Sequence, residues 1–176
     1  PGVRDYLKVV LSTMTKTWGF SYLKLDFLYS AILPDAFENL HDRTKTRAQV
    51  LAEAMSMIAE TIEEGGQDVY LLGCGSPLGA MIGHVHANRV SPDAGLAWLP
   101  EFPLPWWDRW NLPSARGMLR NTLSRLSQHG RWWCNDPDCM LLRTTTTFTE
   151  TEIVSILTIK AMSGGSFILS DDLSQV

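Results

Sequence analysis

Residues 21–29, SYLKLDFLY, are the segment from which the fold of this 176-residue chain is most readily inferred. Their run of aromatic and aliphatic side chains predicts a short buried β-strand. A helical pattern of apolar residues precedes the strand at 2–17, and a longer one follows at 43–64, where Gly65 and Gly66 end it. The segment is therefore a predicted strand between two predicted helices.

The same alternation continues to the end of the chain. Further stretches predict strands: VYLLGCG (69–75), HVHANRV (84–90), RWWCN (131–135) and SFILSDDL (166–173). Helical patterns separate them: a short one near 77–82, one over 113–128, and one over 149–162 that opens with a Thr-x-x-Glu capping box. Alternation of this kind is typical of an α/β fold with parallel strands and crossover helices.

About five parallel strands fit a TIM-type (β/α) barrel better than a nucleotide-binding sheet. The GxGxxG and GxxxxGK[ST] patterns that cradle phosphates are both missing from the sequence. A complete barrel has eight strands and about 250 residues, more than this chain provides. We therefore predict a partial, half-barrel-like (β/α) barrel that forms a single domain over residues 1–176.

Composition narrows the class of protein and its partners. With 45% hydrophobic residues, the chain has enough apolar side chains to form a hydrophobic core. With only 19% charged residues and a net charge of -4, it does not have the composition of an intrinsically disordered protein. Mild acidity without a basic run argues against nucleic acid or an anionic membrane surface as a partner. No apolar stretch reaches the roughly 18–20 residues of a membrane span. Three sparse cysteines, Cys74, Cys134 and Cys139, favour a reducing, cytoplasmic compartment over a secreted disulfide framework.

Polar residues lie at or just beyond the carboxyl end of every predicted strand. They are Asp26, Cys74, Arg89, Asn135 with Asp136, and Asp171. Parallel α/β folds place their chemistry at this edge of the sheet. The sequence therefore predicts a functional site assembled from several strand ends.

Lys24 and Asp26 are two residues apart on one strand, so their side chains point to the same face. An adjacent ammonium keeps a carboxylate ionised in apolar surroundings, which suits a nucleophile. The alternative is a buried structural ion pair, and the spacing alone does not decide between the two.

Arg89 and Asp93, in RVSPD, lie at the end of the third predicted strand and in the loop after it. Together with Asp26, they bring carboxylates from two strands to one end of the barrel. Glycoside hydrolysis needs such a pair, one acting as nucleophile or base and the other as proton donor. The alternative is a loop salt bridge between Arg89 and Asp93.

The remaining candidate residues carry weaker signals. Cys74 has no histidine at an informative spacing, so a place in a pocket wall is favoured over a role as thiol nucleophile. His84 and His86 suggest a metal site, but if Arg89 points into the barrel, both histidines point outward. We therefore predict no metal and no cofactor.

The loop over 91–112 holds Trp98, Trp106, Trp107 and Trp110, which either stack on sugar rings or pack the loop down. Polar residues farther along are expected to play structural roles. Asn135, Asp136 and Asp138 are predicted to brace their loop by turn hydrogen bonds, with an indirect role for Asp138 in the site as the alternative. Asp171 and Asp172 are predicted to form an exposed acidic turn.

Several of these segments occur in the same order in bacterial α-galactosidases. They are WGFSYLKLDFLYSA (18–31), LLGCGSPLG (71–79), RVSPD (89–93), WWCNDPDCMLLR (132–143) and SGGSFILSDDLS (163–174). The whole chain resembles the later part of the catalytic barrel of glycoside hydrolase family 36, and its strands correspond to the fourth to eighth of that barrel. The flanking β-domains and the sugar-binding residues of the first barrel strands have no counterpart here. His86 stands where a smaller or acidic residue is expected.

The resemblance implies a retaining hydrolase that acts on the terminal α-linked galactose of an oligosaccharide. Asp26 would be the nucleophile and Asp93 the acid/base. Lys24 and Arg89 would bind sugar hydroxyls, Cys74 would line the pocket, and Trp98 would lie near it.

Two other functions remain open from the sequence. One is a half-barrel module that folds and associates but has little or no catalytic activity, and the other is a metal-dependent hydrolase that uses His84 and His86. Because an open sheet has two unpaired edge strands and a barrel half leaves an apolar face, we also expect a homo-oligomer.

Overall fold

The computed structural model describes residues 2–34, 41–101, 112–143 and 145–174. The chain divides into two compact units, Pro1–Asn88 and Arg89–Val176. Each unit contains short parallel strand pairings and helices in alternation, as the sequence predicts. That the two units form a single domain stays a prediction.

The first unit begins with helix α1 and ends in strand β3. Its elements are α1 (Gly2–Ser12) with a π-helical extension (Thr13–Thr17), β1 (Tyr22–Leu25), a 3-10 helix (Leu28–Ile32), α2 (Arg47–Glu63), β2 (Tyr70–Gly73), a 3-10 helix (Leu78–Met81) and β3 (Ala87–Arg89), whose last residue belongs to the second unit. β1 is parallel to β2, and β2 is parallel to β3.

The core of the first unit is formed by buried residues of α2 and of the strands. Leu51 and Met55 of α2 are buried, as are Leu71 and Leu72 of β2 and Ala87 of β3. β2 is buried at all but its first residue, as expected of a strand covered on both faces. Within the sheet, Leu25 at the end of β1 lies opposite Gly73 at the end of β2.

The first predicted strand is shorter than its apolar run, and the reason is local. Asp26 accepts a hydrogen bond from the Phe27 N–H at 2.7 Å, and Phe27 has a φ of 54°, in the left-handed region that non-glycine residues rarely adopt. The chain therefore turns immediately after Leu25 and continues as a 3-10 helix. The turn exposes the Asp26 carboxylate at the end of β1.

The second unit also alternates helices with short strands. Its elements are α3 (Ala115–Ser124), a 3-10 helix (Leu126–Gln128), β4 (Cys134–Asp136), β5 (Cys139–Met140), α4 (Glu150–Met162) and β6 (Ile168–Leu169). β5 is parallel to β6, and the Val90 N–H at the end of β3 donates to the Asp136 carbonyl at 3.0 Å. Ala115, Met118 and Leu119 of α3 pack with Ile156 of α4 to form the core.

Two features of the second unit differ from the prediction. The segment after Asp136 forms the additional strand β5 rather than only a turn, because Cys139 and Met140 pair with β6. The helix predicted over 113–128 is α-helical only to Ser124 and continues as a separate 3-10 turn. The capping box of α4 is confirmed, with Thr149 and Glu152 each bonding the other's backbone N–H.

Two general observations bear on the environment of the protein. Within the described ranges, no helix combines the length and apolar character needed to cross a bilayer. Cys74, Cys134 and Cys139 are not joined in disulfides.

Candidate active site

One group of predicted site residues lies in the first unit, where β1 and β2 end. Asp26 directly follows β1, and its carboxylate lies 3.4 Å from the Lys24 ammonium, which confirms that the two side chains share a face. Both side chains are about 40% exposed (40% and 41%), so the pair is not the buried structural ion pair that was the alternative. The carboxylate is open to solvent and paired with a cation.

The surroundings of Asp26 keep its carboxylate ionised. Partial burial by itself raises its pKa, but hydrogen bonds from the Cys74 thiol and the Phe27 N–H, together with the Lys24 charge, outweigh that effect. The pKa of Asp26 is therefore lowered from its ordinary value. An ionised, accessible carboxylate is the form that a nucleophile needs.

Cys74 holds the neighbouring strand end against this carboxylate. It is 4% exposed, and its N–H donates to the Leu25 carbonyl at 2.8 Å, which extends the pairing of β1 with β2. Gly75 follows with a φ of 54°, and a Cβ on it would lie 3.2 Å from the Phe27 backbone, so a side chain there would crowd the Asp26 turn. The contact between the thiol and Asp26 is a functional detail that the sequence did not reveal.

Another group of predicted site residues, in the second unit, surrounds Arg89. Its guanidinium pairs with Asp93 (Nη1 to Oδ1, 2.9 Å), with Asp136 (Nε to Oδ2, 2.8 Å) and with Asp138 (Nη2 to Oδ1, 2.8 Å). The predicted alternative of an Arg89–Asp93 salt bridge is therefore present, as one of three carboxylate contacts.

Asp93 is far more exposed to solvent than the other two carboxylates that pair with Arg89. The Asp93 side chain is 72% exposed, whereas those of Asp136 and Asp138 are 1% and 14% exposed. The Arg89 side chain is only 7% exposed. Asp93 is therefore the exposed carboxylate of the three, whereas Asp136 and Asp138 pair with Arg89 while largely buried.

Asp138 and Asp136 brace the loop between β4 and β5, as predicted. The Asp138 N–H donates to Asp136 Oδ1 at 2.8 Å, and Asp138 Oδ2 accepts the Ala94 N–H at 2.6 Å. Asn135 has a different role, because its amide donates to the Arg125 carbonyl at 2.9 Å and its oxygen accepts the Trp133 indole N–H at 3.0 Å.

Lys160, on α4, is a buried residue that sequence reasoning missed. It is 1% exposed, and its ammonium donates to the Asp138 carbonyl at 2.9 Å and to the Cys139 carbonyl. Burial lowers its pKa to about 8, although the negative charges of Asp138 and Asp136 oppose that effect. The available signal was a lysine placed four residues after the core residue Ile156 on the same helical face.

The predicted tryptophan contacts are only partly within the described residues. Trp98 is 39% exposed, and its carbonyl accepts the Arg116 N–H at 3.1 Å. Trp106, Trp107 and Trp110 lie outside the described residues. Stacking of Trp98 on a sugar stays a prediction.

The prediction of an exposed acidic turn at Asp171 and Asp172 is wrong for the first residue. The Asp171 side chain has 0% exposure and lies 2.7 Å from Arg143 Nε. Its burial raises its pKa, but the Leu142 N–H and the Arg143 charge outweigh that effect, so the pKa is lowered. Asp172 is exposed and accepts hydrogen bonds from Ser174 at the turn.

The histidines are arranged unfavourably for a metal. His86 accepts the Leu71 N–H on Nδ1 at 3.1 Å, and its ring stacks on Tyr70 with centroids 5.2 Å apart. His86 is exposed while Val85 and Ala87 are buried, which agrees with the predicted outward direction. Among the described residues, no group of three or more His, Cys, Asp or Glu side chains is placed to hold a metal ion. The metal-dependent alternative therefore has no ligand set within the described part of the chain.

The comparisons with known proteins relate this chain to α-galactosidases. No family model matches it. It is 29% identical to an α-galactosidase from Thermus thermophilus, solved with p-nitrophenyl α-D-galactopyranoside and with stachyose, at a TM-score of 0.78 for the first complex. That similarity covers 99% of this chain and 33% of the Thermus chain. The chain therefore spans about a third of the length of this neighbour.

More distant structures agree on the fold alone. α-Galactosidase I from Mortierella vinacea is 13% identical with a TM-score of 0.69, over 94% of this chain and 41% of its own. A β-L-arabinopyranosidase from Geobacillus stearothermophilus is 15% identical with a TM-score of 0.66, over 99% of this chain and 38% of its own. Together with the parallel strand pairings, these neighbours show that the chain is a partial (β/α) barrel.

Proposed function

We propose that this chain carries the catalytic residues of a bacterial family 36 α-galactosidase, a retaining enzyme that releases terminal α-linked galactose from oligosaccharides. The observation that carries the proposal is the Asp26 carboxylate at the end of β1. It is paired with Lys24, hydrogen-bonded by Cys74 and exposed to solvent. The similarity to the Thermus α-galactosidase supports the assignment.

The proposed reaction is a double displacement. A carboxylate oxygen of Asp26 attacks the anomeric carbon, the bond to the leaving oxygen breaks, and Asp93 gives that oxygen its proton. Asp93 then takes a proton from water as the water attacks the galactosyl ester, which frees galactose and restores the Asp26 carboxylate. Such a reaction requires the two carboxyl groups to stand about 5–5.5 Å apart when substrate is bound.

The proposed galactose contacts come from the same strand ends. Lys24 and Arg89 donate to sugar hydroxyls, Cys74 lines the pocket, and Trp98 lies near it. The exposed part of Lys24 supports its role, since 40% of its side chain is open to solvent. For Arg89, the three carboxylate contacts support an additional role in holding Asp93. The proposal needs no cofactor or metal.

A second candidate function is an oligomerising half-barrel module with weak or no activity. Exposed apolar side chains on α1, Val3, Tyr6 and Val9, support association. Because none of the three cysteines is joined in a disulfide, they support a location in the reducing cytoplasm.

One assay separates the two candidates. The purified chain is incubated with p-nitrophenyl α-galactoside, its fold is checked by circular dichroism, and its mass in solution is measured by sedimentation. Release of nitrophenol, lost in Asp26→Asn, supports the α-galactosidase. A folded chain without release supports the module, and a folded, dilute monomer contradicts the proposed oligomer.

A further inference from the structure

Asp138 joins the loop that carries Asp93 to the segment after β4. Its Oδ2 accepts the N–H of Ala94, the residue next to Asp93, at 2.6 Å. Its Oδ1 lies 2.8 Å from Arg89 Nη2, and Arg89 Nη1 in turn contacts Asp93 at 2.9 Å. One side chain therefore fixes both the backbone and the cation that flank the exposed carboxylate.

The backbone of Asp138 is itself held in an unusual conformation. Its φ is 69°, in the left-handed region. The residue keeps this conformation with support from Asp136, which accepts its N–H at 2.8 Å, and from the buried ammonium of Lys160, which donates to its carbonyl at 2.9 Å. A non-glycine residue in this region is strained, and such strain persists where the surroundings determine the conformation strongly.

The carboxylates of Asp136 and Asp138 also affect the charge that Arg89 presents to Asp93. A proton donor must keep its proton at the working pH, and a guanidinium beside a carboxyl favours the ionised form instead. Asp136 and Asp138 contact the other two nitrogens of the Arg89 guanidinium and offset its charge. Within the described residues, Lys160, Cys139 and Arg125 also lie near this group, and Arg125 donates to the Val90 carbonyl at 3.0 Å.

We propose that Asp138 is a positioning residue for Asp93, which fixes its loop through Ala94 and compensates Arg89 so that Asp93 can act as a proton donor. The inference rests on the proposed function, which gives Asp93 its role as acid/base. It does not require Asp138 to contact the substrate. In this proposal Asp136 and Lys160 hold Asp138 in place, and Asp138 in turn positions the acid/base, Asp93.

The test is Asp138→Asn, compared with the matched control Asp172→Asn. Asparagine tolerates the left-handed region almost as well as aspartate, so the variant is expected to fold. The control removes the same charge from an exposed residue of the same unit and keeps an oxygen that accepts from Ser174. Circular dichroism and the melting temperature check the fold of both.

The first readout is independent of catalysis. Asparagine has one oxygen where aspartate has two, so it cannot accept from both the Ala94 N–H and Arg89 Nη2, and the guanidinium is the stronger donor. In Asp138→Asn, exchange of the Ala94 amide hydrogen should therefore be at least about 10-fold faster than in the wild type. The exchange rate should not change in Asp172→Asn. Unchanged exchange of the Ala94 amide in folded Asp138→Asn overturns the proposal.

The second readout uses turnover. A sugar leaving group needs a proton as it departs, whereas p-nitrophenolate leaves without one. Asp138→Asn should lower kcat/KM for a galactosyl oligosaccharide by about 10- to 100-fold and for p-nitrophenyl α-galactoside by less than about 3-fold. An equal loss for both substrates points to a merely structural role and overturns the proposal.

The two readouts distinguish failure of this proposal from failure of the proposed function. A wild-type chain that hydrolyses neither substrate refutes the α-galactosidase activity of the chain, while the NMR measurements still decide the role of Asp138. If Asp138→Asn does not fold, the wild type decides: a protected Ala94 amide supports the proposal, and a rapidly exchanging one overturns it.

Discussion

The Cys74 thiol donates a hydrogen bond to the Asp26 carboxylate from the end of the neighbouring parallel strand. Leu25 lies opposite Gly73, so the residues that follow them, Asp26 and Cys74, leave the sheet side by side. The sulfur is buried, while the carboxylate remains open to solvent. A buried donor just past the end of β2 therefore orients a carboxylate that is open to solvent.

Removal of the Asp26 carboxylate should abolish turnover. We expect Asp26→Gly to lower kcat for p-nitrophenyl α-galactoside by about 10³-fold or more, because no galactosyl ester forms. Added azide, which fits the space left by the side chain, should restore part of the rate and yield β-galactosyl azide, identified by mass spectrometry. Asp172→Asn serves as the control, and undiminished turnover by Asp26→Gly would remove Asp26 from the mechanism.

Loss of the Cys74 donor should weaken catalysis without ending it. Cys74→Ala removes the hydrogen bond that lowers the Asp26 pKa, so that pKa rises and the acid limb of the kcat/KM profile moves to higher pH. We expect about a 10-fold loss of kcat/KM, as is typical of one hydrogen bond to a charged group. Cys74→Ser keeps a donor and should retain most of the activity; equal losses in both variants would show that the thiol acts by packing alone.

Lys160 should make stability depend on alkaline pH. Its pKa is about 8 in the folded protein and near its ordinary value of 10.5 when unfolded, so the unfolded chain binds more protons between these values. The free energy of unfolding of the wild type should therefore rise relative to Lys160→Met as pH increases from about 8 to 10.5, by up to ~3 kcal/mol. Urea unfolding of both proteins across this range measures the difference. A difference that stays constant with pH would contradict the lowered pKa.

Asp171 should stabilise the second unit at neutral pH. Its buried carboxylate accepts from the Leu142 N–H and pairs with Arg143. Asp171→Asn should lower the melting temperature by about 2–6 °C at pH 7, whereas Asp172→Asn should have little effect. Because the pKa of Asp171 is lowered, its contribution is present above the ordinary value of 3.8 and is lost as pH falls through the folded pKa. The two melting temperatures should therefore converge in acid.

Local patterns predicted the parts of the site that lie close together in sequence. The shared face of Lys24 and Asp26 follows from the two-residue period of a strand. The Arg89–Asp93 contact spans four residues, and the capping box of α4 spans three. In each case the geometry is set by the neighbouring backbone, so the sequence is sufficient.

Contacts between distant segments required the structure. Arg89 meets Asp136 across 47 residues, and Asp138 meets Ala94 across 44. The burial of Asp171 likewise depends on Arg143, 28 residues away. Nothing in the pattern around any of these residues specifies its partner, because the pairing depends on which strand ends become neighbours.

By itself, the sequence determined the order of helices and strands, the polar residues at the strand ends and the resemblance to α-galactosidases. Only the tertiary structure decided which of those polar residues are exposed and which are buried in contact with other residues. It left Asp26 and Asp93 open to solvent and enclosed Asp136, Lys160 and Asp171. The physical reason is that a buried charge is stable only with partners, and packing brings those partners from elsewhere in the chain.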